Sequence, residues 1–499
     1  MARPARLTPA GRLLVIAVAL TAIRLLAAAA IPLTEDEAYY RLWAQHLQLG
    51  YLDHPPMIAW WIRLGELVAG DTVLGVRLLP CLATGITTWL VGDLARRLGL
   101  SAPTAERAAL WYNATFTVAL GGLLATPDTP ACLFWTVALW ALARRRQGGS
   151  GAWWPAAGAA AGLACLSKYT GLFLAPGVLL WLLATPGGLA ELRRPWPWLA
   201  ALCAAAVFAP HVLWNAQHGW MTFEKQFARV EASHLEPGRL AEFLVTQFLL
   251  LNPLIATLAA RGGWLAWRER RGSVGIGMLA PVAASLPFLL YLAVHSLHDR
   301  VQGHWPAPLF GALAILAAVA APRGDTLRAA AVRLFTPLCG FAASAAILVA
   351  MVSPIPLLGP SDPTLAIRGW PEFARDVEAL RERHGATWVG TESYGVYAQL
   401  AGENVITTPL LEVIERDRYR RDEGLIPDFN RPGLVVDLSR RMKVVDVGRC
   451  FTEVTPVADL GRAGGASRNQ RYSAFLVSGP KRDVWYRGCP AEVRPGVWR

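Results

Sequence analysis

The chain reads as a polytopic α-helical membrane protein that ends in a soluble α/β domain, and three observations predict this. Of its 499 residues, 54% are hydrophobic and only 17% charged, with a mean hydropathy of +0.34. That is too apolar for one soluble domain of this length. The apolar residues come in long runs, most of them near the length that crosses a bilayer. After about residue 355 the runs shorten and the composition becomes that of an ordinary small domain.

The apolar runs fall at 13–31, 73–92, 106–124, 130–143, 153–167, 169–184, 197–214, 240–260, 274–294, 305–321 and 332–352. By hydropathy and length they predict about eleven transmembrane helices. The first run follows Arg3, Arg6 and Arg12, as in a signal peptide. No clean small-residue cleavage site precedes the acids that come next, so it is expected to be a retained helix.

Charge then orients the spans. The basic connections hold Arg96, Arg97 and Arg107, then Arg144 to Arg146, Arg193 and Arg194, then Arg268, Arg270 and Arg271, and finally Arg323, Arg328 and Arg333. Every second loop is basic, which places these loops and the amino terminus in the cytoplasm. This pattern absorbs much of the net charge of +12, and no nucleic-acid-binding module is visible. Residues 153–184 are expected to form a hairpin with Ser167-Lys168-Tyr169 at its outer turn. A single long helix would invert every later loop and destroy the charge pattern.

The outer loops are then 32–72, 125–129, 167–169, 215–239 and 295–304. They hold Asp36, Glu37, Asp53, His54, Asp128, Lys168, His218, Glu224, Lys225, His298, Arg300 and His304. Polar chemistry converges on the outer face. Two domains follow from this reading: a transmembrane part over 1–354 and an outer α/β domain over 355–499. Pro354, Pro356, Pro360 and Pro363 form the linker, and Trp370 to His384 has helical periodicity. Leu434 to Leu438 and Ser473 to Val477 suit strands. Cys450 and Cys489 both fall in the outer domain, where an oxidising compartment predicts a disulfide, against the alternative of two buried thiols. The other cysteines fall in or beside spans and read as packing residues.

The most informative stretch is Glu35-Asp36-Glu37-Ala38-Tyr39-Tyr40, followed by Gly50-Tyr51-Leu52-Asp53-His54-Pro55-Pro56. Carboxylates beside hydrocarbon are costly and are kept for function. An enzyme that moves a sugar from a polyprenyl phosphate needs a base for the acceptor hydroxyl and cations for the departing phosphate. Asp36 and Glu37 are the candidate bases, with Asp36 preferred because Glu37 and Arg41 share a helical stripe. The alternative is that these acids only cap a loop helix.

His54, fixed by two prolines, is a candidate phosphate contact or a turn residue packed on Trp60 or Trp61. Tyr39, Tyr40 and Asp53 are candidate donor contacts beside it. Asp128, in Thr126-Pro127-Asp128-Thr129-Pro130, would orient an acceptor, a sugar or a cation, or merely cap the helix that follows. Lys168 is a point charge for the lipid phosphate or a snorkelling lysine. Arg300 and His304 are further phosphate or sugar contacts, with Trp305 an interface anchor. The histidines lack clean metal-ligand spacing, and neither a Walker loop nor a nucleotide fingerprint is present. No nucleotide cofactor is therefore expected.

These motifs, together with Leu166-Ser167-Lys168-Tyr169-Thr170 and His304-Trp305-Pro306-Ala307-Pro308, resemble the bacterial glycosyltransferase family 39. That family comprises integral-membrane enzymes of the GT-C fold and includes protein O-mannosyltransferases. The chain is similar too to the aminoarabinose transferase that modifies lipid A. The resemblance covers about residues 12–352, and the tail resembles the periplasmic domain of such proteins. It implies an inverting hexosyl- or pentosyltransferase at the periplasmic face of the bacterial inner membrane. The donor would be a polyprenyl-phosphate-linked sugar, and the acceptor an envelope lipid such as lipid A or its core, a glycan or a protein. Asp36 matches the family's base. Relatives carry a phosphate-binding Lys or His at this position; here it is His54, not Lys, and because a neutral imidazole would hold the phosphate less firmly, Lys168 or Arg300 would carry more of that role. Some relatives hold a divalent cation near the acids; the metal requirement here is open.

Two other classes remain. A transporter or flippase of lipid-linked glycans would place polar residues or broken helices at the midplane, whereas most spans here look clean. A scaffold with a binding domain would not need Asp36 and its basic partners. A polymerase or ligase of lipid-linked glycans shares the same chemistry.

Overall fold

The computed structural model describes residues 7–227, 235–269, 273–353, 359, 362–419, 426–442, 444–464 and 467–489. Arg3, Arg6, Arg270, Arg271, Pro354, Pro356 and Pro360, used above, lie outside the described residues. The chain divides into two compact units. One combines Met1–Ala30 with Leu47–Leu348; the other combines Ile31–His46 with Val349–Arg499. The sequence places residues 31–46 with the membrane part, whereas by compactness they belong with the carboxyl-terminal residues.

The first unit is helical. Among the described residues, five helices are long and apolar enough to cross a membrane: Pro9–Ala30, Val73–Arg97, Pro195–Gln217, Met278–His295 and Leu327–Val352. A sixth candidate is a bent pair, Pro237–Leu250 and Pro253–Arg268. Other helices occupy most of the remaining apolar runs, including Asp128–Arg146 and Trp153–Ser167. Small residues let these helices approach closely, with Ala105, Ala108, Ala314 and Ala317 fully buried around Trp111, Ile255 and Ile315.

Two of the expected spans are broken. The run 106–124 stops at Asn113 and restarts at Phe116, where Thr115 caps the new helix by accepting from the Val118 amide. The run 240–260 bends by 104° at Asn252-Pro253. Pro253 cannot continue a helix, and Asn252 takes a left-handed φ of +70° while its side-chain oxygen accepts from the Leu254 amide. Asn252 Nδ2 donates to the carbonyl of Ala114, at the first break, and to that of Thr336 in the helix Leu327–Val352. Hydropathy sees only apolar length, so neither break was visible in it. A further helix, Met57–Ala69, forms inside what reads as an outer loop.

The segment 153–184 doubles back. Its first helix ends at Ser167, Lys168 is extended, and a 3-10 turn over Tyr169–Phe173 leads into Leu174–Ala184. Arg145, before the segment, bonds Glu191, after it, at 2.9 Å, and Trp154 donates to the same carboxylate. The basic connections on either side therefore meet at one end of the bundle. Arg97 and Arg144 lie over Trp140, Arg144 over Trp153, and Arg146 over Trp181 at that end.

The second unit is α/β. Its five strands are β1 (Val389–Thr391), β2 (Leu410–Glu412), β3 (Gly433–Leu438), β4 (Phe451–Gly461) and β5 (Arg471–Pro480). They pair in the order β2-β1-β3-β5-β4, parallel on the β2-β1-β3 side and antiparallel for β3-β5-β4. Central β3 is buried along its whole length. The helix Trp370–Arg383 lays Trp370, Phe373, Val377 and Leu380 into the core with Val436, Tyr472 and Ala474. Cys450 and Cys489 are joined by a disulfide that closes a loop of 39 residues.

Candidate functional site

The acidic motif becomes the helix Glu35–Gln45 of the second unit. Thr34 caps it, and the cap is reciprocal: the Thr34 hydroxyl accepts from the Glu37 amide, while Glu37 accepts from the Thr34 amide at 3.0 Å and from its hydroxyl at 3.1 Å. Glu37 is fully buried in this arrangement, whereas Asp36 is exposed. The two candidate bases thus differ in kind, one committed to a helix terminus and the other presented at the surface.

Tyr39 and Tyr40 are not open stacking platforms. They are 2% and 6% exposed. Tyr39 packs on Trp43, Tyr394 and Tyr419, and its hydroxyl accepts from Arg418 at 3.1 Å. They sit in the core that joins the acidic helix to the carboxyl-terminal residues, because amphipathic rings on one helix stripe are buried where that stripe is covered. Asp36 Oδ1 accepts a 2.8 Å hydrogen bond from the Tyr394 hydroxyl. Glu35 is held above the usual carboxylate range by burial, which the Arg462 and Arg441 guanidinium groups oppose.

In the first unit, Asp128, Lys168, His304 and His54 come together at helix ends. Asp128 is the first residue of Asp128–Arg146, and Lys168 is the extended residue that closes Trp153–Ser167. Lys168 Nζ donates to Asp128 Oδ1 at 2.7 Å, with both side chains about one-tenth exposed. The other Asp128 oxygen lies 3.7 Å from His304 Nε2. His54 is among the groups whose charge acts on Asp128. The His304 ring is half-exposed but closely walled, and desolvation lowers its pKa to about 4. Asp128 pulls the other way and Lys168 adds to the fall. His304 is therefore neutral near pH 7, and its contact with Asp128 is not a charged bridge there.

The loop that carries Asp53 and His54 is built rather than slack. The Tyr51 amide donates to the His54 carbonyl, and the Tyr51 hydroxyl accepts from the Gln48 amide. Thr222 donates to the Tyr51 carbonyl at 2.7 Å and Gln226 to the Asp53 carbonyl. Gly50 packs so closely that a β-carbon there would lie 2.5 Å from Trp214 and 2.7 Å from His211.

His211 was not singled out by sequence reasoning. It is fully buried, contacts the Leu49 carbonyl through Nδ1 at 2.8 Å, and receives the Tyr169 hydroxyl at Nε2 at 2.6 Å. The Asn215 amide also reaches Nε2, which fits a neutral ring protonated on Nδ1. A polar pair four residues apart on an apolar helix was the signal available. It ties the His54 loop to the turn that carries Lys168. Arg300 is placed differently: it pairs with Glu242 at 2.8 Å, both half-exposed or more.

Among the described residues, no group of three or more His, Cys, Asp or Glu side chains gathers to hold a metal ion.

An apolar helical bundle whose charged side chains gather at helix ends, accompanied by an α/β unit, is the architecture of a polytopic membrane protein. Residues 53–214 match the family described as dolichyl-phosphate-mannose-protein mannosyltransferase. The chain is 30% identical over 382 residues to the lipid A galacturonosyltransferase of Rhizobium johnstonii, covering 73% of this chain and 76% of that protein. It is also 30% identical over 296 residues to an undecaprenyl phosphate-α-4-amino-4-deoxy-L-arabinose arabinosyl transferase of Pseudomonas fluorescens. There the match spans 51% of this chain and about half, 52%, of the relative. The fold is that of ArnT from Cupriavidus metallidurans, solved bound to undecaprenyl phosphate, with a TM-score of 0.64 at 15% identity over 94% of this chain and 99% of that one. The chain belongs to glycosyltransferase family 39 and is a membrane glycosyltransferase.

Proposed function

We propose that the protein transfers a sugar from a polyprenyl-phosphate donor to a hydroxyl of an envelope lipid of the lipid A class, with inversion at the sugar. The buried Asp128–Lys168 pair carries this reading: an ammonium held at a helix end among apolar helices suits the phosphate of a lipid that lies in the same bilayer. Asp36 takes the proton of the acceptor hydroxyl as that oxygen bonds to the anomeric carbon. The bond from the anomeric carbon to the phosphate oxygen breaks, and the polyprenyl phosphate leaves with the electron pair. Lys168 meets the charge that develops on the phosphate, and His54 and neutral His304 supply hydrogen bonds. Arg300 is the weaker candidate, because it is largely exposed and its pair with Glu242 lies in water rather than among the helices.

The finer topology belongs to the same proposal. About eleven membrane-crossing segments, broken and short ones included, would place the Arg-Trp end in the cytoplasm. The Asp128–Lys168 end and residues 355–499 would lie in the periplasm, at the inner membrane. The named relatives favour a uronic acid or an aminopentose as the sugar. The test is transfer from polyprenyl-phosphate galacturonic acid and aminoarabinose to purified lipid A, with the product read by mass spectrometry. A glycosylated lipid A supports the proposal. Acceptor left unmodified by both donors, while a glycan or protein in a crude envelope is labelled, overturns the acceptor assignment.

A further inference from the structure

The candidate base is held by the carboxyl-terminal part of the chain, and this gives that part a role. Asp36 and Tyr394 are separated by 358 positions yet share a 2.8 Å hydrogen bond within one compact unit. Three further contacts keep the acidic helix against the helix Tyr394–Glu403. Gln399 donates to the Leu33 carbonyl at 3.1 Å, and Arg41 donates to the Gly402 carbonyl at 3.3 Å. The third is a close approach: a β-carbon at Gly395 would lie 2.9 Å from the Glu35 β-carbon, so a glycine beside Tyr394 lets the helices meet this closely. Tyr394 is itself fixed. Its carbonyl accepts from the Tyr419 hydroxyl at 2.9 Å, its ring packs on Tyr39, and the Arg418 guanidinium lies 4.7 Å over that ring.

We propose that Tyr394 is a positioning residue for the transfer reaction, through which the carboxyl-terminal domain orients Asp36 and sets its basicity. This rests on the reading of Asp36 as base. A phenol that donates to a carboxylate favours the ionised form and holds one oxygen in place. It keeps Asp36 deprotonated and fixed in direction before an acceptor arrives. The charged groups around the pair include Glu35 on the same helix and Arg418 beside the tyrosine ring, with Arg441, Arg462 and Asp437 acting on Glu35. Burial, and then Asp36 itself, push the Tyr394 phenol above its ordinary range, so it remains a donor at all working pH values.

The test uses the full-length protein in nanodiscs with Tyr394→Phe, which keeps the ring and removes the donor. Asp36 is labelled with a carbodiimide across a pH series, and the modified peptide is quantified by mass spectrometry. Labelling follows the protonated carboxyl, so loss of the donor should raise its midpoint by about one pH unit. Transfer should fall about tenfold in kcat with the donor KM unchanged, and the acid limb of the kcat profile should move up with the labelling midpoint. A midpoint in Tyr394→Phe equal to wild type overturns the proposal, whatever the activity. If Asp36→Asn transfers sugar as well as wild type while the labelling midpoint still shifts, the base assignment fails and the hydrogen bond stands. Gln399→Ala, which removes a different tie to the acidic helix, should leave the labelling midpoint in place. A shift as large as that of Tyr394→Phe would make the effect one of general loosening and overturn the specific role.

Discussion

Each unit carries a candidate functional carboxylate, and the two are set in different surroundings. In the helical bundle, Asp128 and Lys168 are nearly enclosed and answer each other, as buried charges must. In the α/β unit, Asp36 stands exposed on a capped surface helix, and a tyrosine from far along the chain fixes one of its oxygens. A charge among apolar helices must be met by a counter-charge or by hydrogen bonds, because desolvation is costly, and Asp128 and Lys168 meet each other. An exposed carboxylate keeps its hydration, and the tyrosine hydroxyl gives it direction. The first arrangement suits holding a phosphate, and the second suits taking a proton.

The sharpest way to break this contrast is to remove the exposed carboxylate. Asp36→Asn should lower kcat by at least about hundredfold, the low end for a lost general base, with unfolding unchanged. The buried pair should behave in reverse. Lys168→Met leaves Asp128 enclosed without its cation and should cost about 3–5 kcal/mol of stability, read by thermal unfolding in detergent. Adding Asp128→Asn should return most of that loss while transfer stays low. If the single variant unfolds like wild type, the pair is not buried as described.

How much of this was legible in the sequence follows from the forces involved. Helices such as Val73–Arg97 and Pro195–Gln217 were visible because apolar length is a local property. The gathering of Asp128, Lys168, His54 and His304 was anticipated only as a shared face, since alternating charge fixes sides but not distances. The breaks at Ala114 and Asn252 were missed, because hydrophobicity continues across them while the backbone does not. Tyr39 and Tyr40 were expected to meet a sugar and instead pack against Tyr394 and Tyr419 or Trp43. No local pattern could show that residues 31–46 pack with residues beyond 349. The same blindness hid Tyr394.

Smaller effects sharpen the comparison. Cys450→Ser with Cys489→Ser should destabilise the α/β unit by about 4 kcal/mol at most, the chain-entropy value for a loop of this size, and leave the bundle's own transition in place. A single shared transition would show that the two units do not unfold separately. Asn252→Ala removes donors to two backbone carbonyls and puts a β-carbon residue at positive φ, and should cost about 2 kcal/mol in the bundle. Asn252→Gly should cost less, because it keeps the backbone conformation.

The smallest effect is in pH. The folded His304 pKa of about 4 lies below the ordinary value of 6.5, so the unfolded chain binds the proton first. Stability should therefore fall as pH drops from about 6.5 toward 4, and His304→Gln should flatten that part of the curve. A bundle whose stability rises on acidification through this window would place a charged His304 beside Asp128 instead.

The central claim is that Asp36 is the base of a transfer from a polyprenyl-phosphate sugar. It is tested most directly by measuring transfer to lipid A by wild type and Asp36→Asn, matched for folded protein, across pH. The account predicts product with wild type, loss of at least about hundredfold with Asp36→Asn, and an acid limb present only in the wild type. Equal transfer by both proteins, with the same acid limb, would contradict it.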